Sequence, residues 1–425
     1  PGSIKAFAEA IERYGNLTLA ELLEPAIEYC EQGFAVRTHV ASYWNLVEAA
    51  GRIPHIERLR AIPATAKIYT REDGSIYKAG EILRNPDMGN TYRRIASAGV
   101  EDFYEGEIAS KIAADMKENG GLLSGDDLRD FQTEQSEPVW GEFHGYEVAT
   151  NPLPGGGAMV IEMLNILSHF DLKAMGHNSS RYIATVAEAM KIATVDKDRH
   201  MGDPRYVDVP LNVLLSAEHA EKMATRIRTG EKTPVPRLNS GADNKDTTHV
   251  CAVDDMGNCV SMTHSLGNPS GVVTEGLGFM YNGCMNVFDP RPGRSNSLAP
   301  GKSRFTAMSP TIVFKDKQPY LVIGAPGGTY ITMGVLQGIL NCLVFGMNAQ
   351  ETVASPRFCV TSDVIDVTNR IPRYIQSELE SLGYQVRRSH QSFGFAGVHA
   401  IRINEQGWDG GADPGRDGMS LQTRP

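Results

Sequence analysis

The chain has 425 residues, of which 41% are hydrophobic and 22% charged, which is the composition of a globular protein rather than of a disordered or fibrous one. Its 51 acidic and 41 basic side chains give a formal net charge of −10. The sequence contains no run of basic residues that would bind phosphates, so nucleic acid is not an expected partner. No apolar stretch reaches the length of a membrane span, so we expect no membrane partner either.

The cysteines lie at positions 30, 251, 259, 284, 342 and 359, and no two of them have the Cys-x-x-Cys spacing of a zinc ribbon or a redox pair. Scattered cysteines in a large chain favour a reducing compartment, and hence the cytoplasm slightly over the periplasm or secretion. Residues 1–7 lack the basic and apolar regions of a signal peptide and contain no methionine. The compartment is otherwise left open.

The first half of the sequence is predicted to be mainly helical. Apolar residues at helical spacing predict a helix over 4–14, and the capping-box pattern Thr18-Leu19-Ala20-Glu21 predicts another that ends near Gly33. Alternation predicts a strand over 140–150, which the prolines and glycines of 152–157 end. Further helices are predicted over 107–117, 158–170, 180–193 and 216–228.

The character of the chain changes at 231–245, where prolines, asparagines and charges predict an exposed loop without periodicity. The second half then begins as a β-hairpin of 248–253 and 259–264, joined by the turn residues between them. Further strands are predicted over 278–282, 308–314, 320–324, 386–388 and 397–403, and helices over 330–343 and 371–382.

The junction Asp246-Thr247, between this loop and the hairpin, is the first candidate for chemistry. A threonine hydroxyl is a weak nucleophile inside a chain, but cleavage of the preceding peptide bond frees an α-amine that acts as its base. Such a residue needs a cleavable bond in an accessible loop and a rigid strand behind it, and the pattern predicts both. The plain alternative is that Thr247 and Thr248 are ordinary β-formers at a strand start, and the local pattern alone favours it.

Gly327-Gly328 is the second candidate. A strand, a glycine pair and a helix present backbone N–H groups at a helix N-terminus, which suits an oxyanion hole for acyl transfer. The local pattern alone favours a plain tight turn, and a phosphate cradle would need the lysine or glycine spacing that this segment lacks. The local pattern therefore does not decide the role of this turn.

Other catalytic patterns are poorly supported. The sequence contains neither a Gly-x-Ser-x-Gly elbow nor a His-Glu-x-x-His zinc helix. The histidines are dispersed, and His200 and His249 are expected to be hydrogen-bonded structural residues rather than metal ligands. We therefore expect no metal and no cofactor.

Motifs spread nearly from end to end resemble the γ-glutamyltranspeptidases, which are N-terminal-nucleophile hydrolases. Those of the first half are 103–109, 119–123, 162–167 and 202–204. Those of the second half are Thr247-Thr248-His249 with Asp254 and Gly257-Asn258, then 308–313, 324–328 and 412–414. Together they reverse the plain interpretations of Thr247 and of Gly327-Gly328.

The resemblance implies an α+β fold, a four-layer αββα sandwich, made by autocleavage of the Asp246–Thr247 bond. A large-subunit region 1–246 and a small-subunit region 247–425 would together form this one domain. It further implies a processed heterodimer, leaves homo-oligomers of it open, and requires no cofactor.

The resemblance also assigns roles to residues. Thr247 would be the nucleophile and its α-amine the base, with Gly327 and Gly328 as the oxyanion hole. The acyl group of a small-molecule amide or γ-glutamyl substrate would pass to Thr247 and then to water or an amine. Thr248 and Ser265 would lie near the nucleophile, Ser265 replacing the usual threonine.

The departures from the family pattern concern the acyl donor. The family asparagine two residues after the Ser265 position is Gly267, and the family glutamine and aspartate in the next loop are Cys284 and Val287. The serine pair before Met308 is Thr306-Ala307, in which Thr306 could keep one hydroxyl contact. A valine cannot pair with an ammonium group, so much of the expected glutamyl recognition is absent.

Two alternatives therefore stay open. One is an acylase or amidohydrolase for a different acyl group, such as a glutaryl-type or oxamate-like amide. The other is an uncleaved, non-catalytic relative that serves as a binding or structural protein. Family members also carry a segment before the region of residues 1–3, with an arginine for the donor carboxylate; the sequence does not contain it, and no arginine is assigned that role.

Overall fold

The structure is a computed structural model that describes residues 2–45, 53–236, 246–389, 391, 394–405 and 407–423, without the side chain of Asp246. The chain divides into two compact units. Unit 1 comprises Pro1–Gln135 and Pro269–Gly283, and unit 2 comprises Ser136–Asn268 and Cys284–Pro425. Unit 2 thus contains residues from both sides of the predicted cleavage point, and the division into two subunits at that point stays a prediction.

The helices of the described residues are, in chain order, α1 (Gly2–Tyr14), α2 (Leu19–Gln32), α3 (Thr38–Trp44), α4 (His55–Ala61), α5 (Pro63–Tyr69), α6 (Pro86–Ala98), α7 (Glu101–Tyr104), α8 (Glu107–Glu118), α9 (Gly125–Arg129), α10 (Gly157–Leu167), α11 (Leu172–Met175), α12 (Ser180–His200), α13 (Leu211–Leu214), α14 (Ala217–Arg228), α15 (Ile331–Leu343), α16 (Ala349–Ala354) and α17 (Arg373–Ser381). None of them is long and apolar enough to cross a membrane.

The strands of the described residues are β1 (Phe34–Ala35), β2 (Ile82–Leu83), β3 (Val139–Phe143), β4 (Tyr146–Thr150), β5 (Asp246–Val253), β6 (Cys259–Gly267), β7 (Pro269–Val273), β8 (Met280–Asn282), β9 (Thr311–Lys315), β10 (Gln318–Gly324), β11 (Phe358–Cys359), β12 (Val364–Thr368), β13 (Gln385–Ser389), β14 (His399–Asn404) and β15 (Gly407–Ala412). The predicted loop 231–245 lies outside the described residues from 237 onwards.

Unit 1 is a helical unit with short strand pairs. The predicted capping box at the start of α2 is confirmed, because the backbone N–H of Thr18 donates to the Glu21 carboxylate and that of Glu21 donates to the Thr18 hydroxyl. The buried side chains of α6, α7, α8 and α9 form a separate apolar core, whose members include Ile95, Phe103 and Leu128. This core stabilises the unit.

Unit 2 is built on a six-stranded sheet with the order β15-β14-β10-β9-β4-β3, in which all neighbours are antiparallel. Helices α10 and α15 pack on this sheet, and α12 and α14 pack on α10. The hairpin of β5 and β6 forms a second sheet that packs on β10, β14 and β9. Unit 2 therefore stacks a helical layer, a large sheet and a second sheet layer.

Successive residues of β10 show which layer lies on each face of the large sheet. The Ile323 side chain points to α15, where an ideal Cβ on Gly338 would lie 2.5 Å from the Ile323 Cδ1 atom. Gly324 faces the other way, towards His249 of β5. Because neighbouring residues of a strand point to opposite faces, helices cover one face and the hairpin covers the other.

One predicted element is wrong. The segment 140–150 is not a single strand but the hairpin β3–β4, which turns at His144 and Gly145 with φ angles of 51° and 80°. A left-handed pair at both central positions is the geometry of a tight two-residue hairpin turn, and glycine favours it. The predicted helices at 4–14, 107–117, 216–228 and 330–343 are confirmed, with ends that differ by a few residues.

Candidate active site

Thr247 lies at the second position of β5, opposite Ser265 of β6. The Thr247 Oγ1 and Ser265 Oγ atoms are 2.9 Å apart, a hydrogen-bond distance at which either hydroxyl can be the donor. Both side chains are partly buried. The structure thus brings together the predicted nucleophile and the residue predicted to steady it.

A β-bulge coincides with the predicted cleavage site. Asp246 is paired with Gly267 and Thr247 with Ser265, so Leu266 is the extra residue between them. Gly267 has a φ angle of 67°, in the left-handed region that favours glycine, and its backbone N–H donates to Ser265 Oγ at 2.9 Å. The Ser265 hydroxyl therefore connects Thr247, the predicted nucleophile, to the bulge in β6.

His249 lies two residues after Thr247 in β5, so both side chains point to the same face of the hairpin. Its ring stabilises the hairpin there. Its buried ring bonds Thr263 Oγ1 through Nδ1 at 2.8 Å and lies 3.2 Å from Cys251 Sγ through Nε2. Burial, with His399 nearby, lowers the pKa of His249 to about 3, so the imidazole is neutral. The expected structural role of His249 is confirmed, whereas the His200 ring has no hydrogen-bond partner within the described residues.

Contacts between the two sheets show where Thr247 lies relative to β10. The Cys251 Sγ atom is 3.5 Å from the Val322 carbonyl oxygen, and the His249 ring lies against Gly324. Each step of two residues back along β5 thus corresponds to two residues forward along β10. The same step leads from His249 to Thr247 and from Gly324 to Pro326, so this register predicts that Thr247 lies near the segment that follows β10 and contains Gly327.

The Gly327–Gly328 turn departs from any conformation that other residues adopt easily. Its φ angles are 144° and 59°, and an ideal Cβ on Gly327 would lie 2.5 Å from the Ala396 Cα atom. Within the described residues neither N–H of the pair has a hydrogen-bond acceptor. The pair opens a short 3₁₀ turn, Gly328–Tyr330, that leads into α15, so both N–H groups lie at a helix N-terminus.

Tyr330 holds this turn in place through two hydrogen bonds. Its backbone N–H donates to the Gly327 carbonyl at 3.1 Å, and its hydroxyl donates to Asp366 at 3.2 Å. The Arg387 guanidinium in turn donates to the same carboxylate at 2.6 Å. The predicted oxyanion turn is therefore held by a hydrogen-bonded side chain rather than by the glycine backbone alone.

Thr306 lies in a loop that reaches the same end of the sheets. Ser261 of β6 links the start of β9 to β10, since it accepts from the Thr311 N–H at 3.1 Å and donates to the Ile323 carbonyl at 3.0 Å. Moving from Ser261 towards Ser265 therefore corresponds to moving from Thr311 back towards Thr306. The Thr306 hydroxyl accepts from the Met308 N–H at 3.3 Å, so its orientation is fixed within its own loop.

Thr248 is placed differently from the other predicted site residues. Alternation along β5 turns its side chain to the face opposite Thr247, where it is exposed and opposite His264. A direct role of Thr248 in substrate binding stays a prediction.

Sequence reasoning missed Arg304, which the structure places beside Gly267. An ideal Cβ on Gly267 would lie 3.8 Å from Arg304 Nη2 and 2.7 Å from Cys284 Sγ. The guanidinium is half-buried and donates through Nη1 to the Phe305 carbonyl at 3.1 Å. Within the described part of the chain no carboxylate forms an ion pair with it. No local pattern singles out this arginine, because only the folded chain brings it to the bulge.

Acidic side chains are scarce among the described residues around Gly267 and Arg304. Cys284 and Val287 stand where the resemblance leads one to expect polar donor contacts, and the Cys284 thiol lies 3.5 Å from the Leu266 carbonyl. Asp289, the acidic residue that follows Val287, bonds Arg291 through both carboxylate oxygens, at 2.9 and 2.7 Å. The described wall of the site thus offers a cation for an acid group and no acidic side chain for an ammonium group.

Comparisons with known proteins agree with this arrangement. The sequence profile of the family described as gamma-glutamyltranspeptidase matches residues 1–423. The acylase ACY 1 proenzyme of Pseudomonas sp. strain V22 is 34% identical over 410 residues, which cover 96% of this chain and 72% of that protein. The glutathione hydrolase proenzyme of Escherichia coli strain K12 is 32% identical over 379 residues, which cover 84% of this chain and 63% of that protein.

A solved structure is similar along the same length. The crystal structure of cephalosporin acylase from Bacillus halodurans has a TM-score of 0.85 and 28% identity, and covers 98% of this chain and 76% of that one. The predicted α+β class is confirmed by this neighbour.

The fold and the site define an N-terminal-nucleophile hydrolase, an enzyme of the autoprocessing amide hydrolase and acyltransferase type. Within that class, the chain belongs to the γ-glutamyltranspeptidase family.

Proposed function

We propose that Thr247 is the nucleophile of both autocleavage and acyl transfer. The observation that carries this proposal is the hydrogen bond between Thr247 Oγ1 and Ser265 Oγ, at a bulge that coincides with the Asp246–Thr247 bond. The register between the two sheets supports it, because its extension predicts a position of Thr247 near the Gly327–Gly328 turn, and a nucleophile needs oxyanion donors within reach.

Autocleavage begins when Thr247 Oγ attacks the carbonyl carbon of Asp246. The C–N bond breaks, the acyl group passes to Oγ, and the nitrogen takes the hydroxyl proton to become a free α-amine. Water then hydrolyses the ester, which releases the Asp246 carboxylate and restores the Thr247 hydroxyl. Ser265 orients the attacking hydroxyl, and the bulge turns the bond towards it.

Acyl transfer repeats this chemistry on a substrate amide. The α-amine accepts the Thr247 hydroxyl proton while Oγ attacks the amide carbonyl, and the N–H groups of Gly327 and Gly328 bind the oxyanion. The amide C–N bond then breaks, and the departing amine takes the proton from the α-ammonium group. Water or an amine acceptor attacks the resulting ester and releases the acyl group.

The autocleavage step is tested by mass spectrometry of purified protein. We expect two fragments that meet at the Asp246–Thr247 bond in the unmutated protein, and one intact chain for Thr247→Ala. Thr247→Ser should still be cleaved, because serine supplies the same hydroxyl. Thr248→Ala is the matched control and should be cleaved normally. An intact chain in the unmutated protein would contradict the proposal and favour a non-catalytic binding protein.

A second proposal concerns the acyl donor, and Arg304 favours it. Arg304 Nη2 lies beside Gly267, the Gly267 N–H donates to Ser265, and Ser265 bonds Thr247. Two residues therefore connect the guanidinium to the proposed nucleophile. A guanidinium that forms no ion pair with any carboxylate of the described residues suits an acyl group that ends in a carboxylate. Cys284 and Val287 offer no partner for an α-ammonium. We therefore propose an acylase for dicarboxylic half-amides of the glutaryl type rather than a γ-glutamyl enzyme.

Relatives that are named acylases support an acylase activity, whereas the proposed donor class depends on Arg304. The test compares glutaryl and γ-glutamyl anilides as donors for cleaved protein. We expect the glutaryl anilide to have the higher kcat/KM, and Arg304→Gln to lower it by about tenfold to a hundredfold, the effect of one charged hydrogen-bonded contact. Arg129→Gln, which changes an exposed pair of unit 1, is the control. A preference for the γ-glutamyl anilide would contradict the donor proposal and leave the nucleophile proposal intact.

A further inference from the structure

The helical layer of unit 2 contains a second cluster of chemically active side chains. Glu162 of α10, Asp196 of α12 and His219 of α14 each direct one ligand atom into a region where all three atoms lie within 4.8 Å of one another. These residues are far apart in sequence and form no short metal-binding motif, which is why the sequence leads one to expect no metal. From this geometry we infer that the cluster is a divalent-metal site for Zn²⁺.

The distances within the cluster fit a zinc ion better than a network of strong hydrogen bonds. His219 Nε2 is 3.3 Å from Glu162 Oε1 and 3.4 Å from Asp196 Oδ2. Ligand atoms of a tetrahedral site with zinc bonds of about 2.0–2.2 Å lie about 3.3–3.5 Å apart. Hydrogen bonds between a charged histidine and a carboxylate are shorter, about 2.7–2.9 Å.

Burial supplies the second, independent observation. The Glu162 side chain is 0% exposed, and its Oε2 atom has no hydrogen-bond partner. A buried carboxylate oxygen that lacks a hydrogen-bond partner lowers the stability of the folded state, and repulsion by the neighbouring carboxylate of Asp196 lowers it further. Among the described residues, His219 alone forms an ion pair with either carboxylate. A divalent cation bound by the Glu162 carboxylate would balance both negative charges.

The chemistry of the ligand set selects the metal. An imidazole nitrogen with carboxylate oxygens suits zinc and related transition metals, whereas Mg²⁺ and Ca²⁺ prefer oxygen ligands alone. The His219 and Asp196 side chains are 14% and 15% exposed, so the cluster has an open side. An ion can enter there, and a water molecule can complete a four-coordinate site.

The expected consequence is structural. The ligands come from three helices that pack on one another, so the ion would fasten α10, α12 and α14 together over the large sheet. Bound metal stabilises the folded state because the site does not exist in the unfolded chain. The site is independent of Thr247 and of the proposed donor.

Metal analysis and thermal unfolding test the site. We expect about one equivalent of zinc after dialysis against Zn²⁺ and buffer, and a rise in Tm that Mg²⁺ and Ca²⁺ do not reproduce. Replacement by Co²⁺ should give visible absorption bands of a low-coordinate site. His219→Ala and the isosteric Asp196→Asn should each lower the zinc affinity at least tenfold, while His169→Ala, at an exposed histidine of the same unit, should not.

Two outcomes would overturn the inference. The first is unmutated protein that binds no zinc and unfolds at the same Tm with and without it, in which case the carboxylates share a proton instead. The second is zinc binding that persists unchanged in both His219→Ala and Asp196→Asn, which would place the ion elsewhere on the chain. Because two variants on different helices are compared, misfolding of one does not remove the test.

Discussion

The imidazole ring of His249 occupies the space in which a side chain on Gly324 would lie. An ideal Cβ on Gly324 would be 2.1 Å from the His249 Cε1 atom and 2.5 Å from both ring nitrogens. This contact sets the distance between β5, which contains the proposed nucleophile at its second position, and β10, which ends three residues before Gly327. It is therefore the point at which the hairpin and the proposed oxyanion turn are positioned relative to each other.

Gly324→Ala should disturb this relationship directly. The added methyl group would force the ring and β5 away from β10, and a displacement near 1 Å can cost about a hundredfold in rate. We expect slow autocleavage and a loss in kcat larger than the change in KM, measured on cleaved protein with the best anilide donor. Gly125→Ala is the control, because a Cβ there would meet no atom closer than 3.9 Å. Unchanged cleavage in Gly324→Ala would show that the contact does not position Thr247.

The bond between Ser265 and Thr247 permits a finer test. Ser265→Ala removes the described partner of Thr247 Oγ1 and leaves the Gly267 N–H without its acceptor. Loss of such a hydrogen bond costs about 1–2 kcal/mol, so we expect cleavage and turnover to slow by roughly tenfold. Ser265→Thr keeps the hydroxyl and restores the residue expected from the resemblance, so it should retain both rates. Equal rates in all three proteins would remove Ser265 from the proposed machinery.

The sequence predicts the parts of this site that depend on local pattern or on motifs. A strand start, a loop before it and a glycine pair before a helix lead to Thr247 and Gly327-Gly328 once the family resemblance is recognised. The hairpin β3–β4 was missed because His144-Gly145 is a turn only when both residues adopt positive φ, which alternation of apolar residues does not reveal.

Contacts that the tertiary fold creates could not be predicted in this way. Strands β7 and β8 lie between Gly267 and Arg304 in the sequence, and no spacing rule relates the two residues; only the folded chain brings the guanidinium to the bulge. The cluster of Glu162, Asp196 and His219 depends likewise on how three helices pack. Periodicity predicts each helix but not the register of one helix against another, and that register determines which side chains meet.

Tyr330→Phe should weaken the proposed oxyanion turn without removing it. The variant loses the hydrogen bond to Asp366 but keeps the ring, which stacks on Phe395 with centroids 5.9 Å apart. The Asp366 carboxylate would remain buried beside Arg387 with one partner fewer. We expect about 1 kcal/mol lower stability and a several-fold lower kcat with a nearly unchanged KM, because the turn acts on the transition state. Chemical unfolding and steady-state kinetics measure the two effects. A change in KM alone would contradict the assignment.

Acid should destabilise unit 2 through His249. Burial, with His399 nearby, lowers the pKa of His249 from 6.5 to about 3 in the folded chain. As the pH falls below 6.5, His249 therefore binds a proton in the unfolded chain but stays neutral in the folded chain. The contribution of the neutral ring to the free energy of unfolding is thus complete above pH 6.5, and it is lost progressively between pH 6.5 and 3. Burial also lowers the pKa of His399, to about 4, so its effect has the same sign.

Unfolding by denaturant at pH 7 and at pH 4.5 measures this effect. Two pH units below 6.5 correspond to about 2–3 kcal/mol for a single group of this kind. We expect His249→Asn to be less stable than the unmutated protein at pH 7, because its packing on Gly324 is lost, but to lose less stability between the two pH values. His169→Asn, at an exposed position, should lose as much as the unmutated protein. If His249→Asn also loses the full amount, the acid sensitivity originates in other groups, and the ring of His249 is not held neutral by the fold.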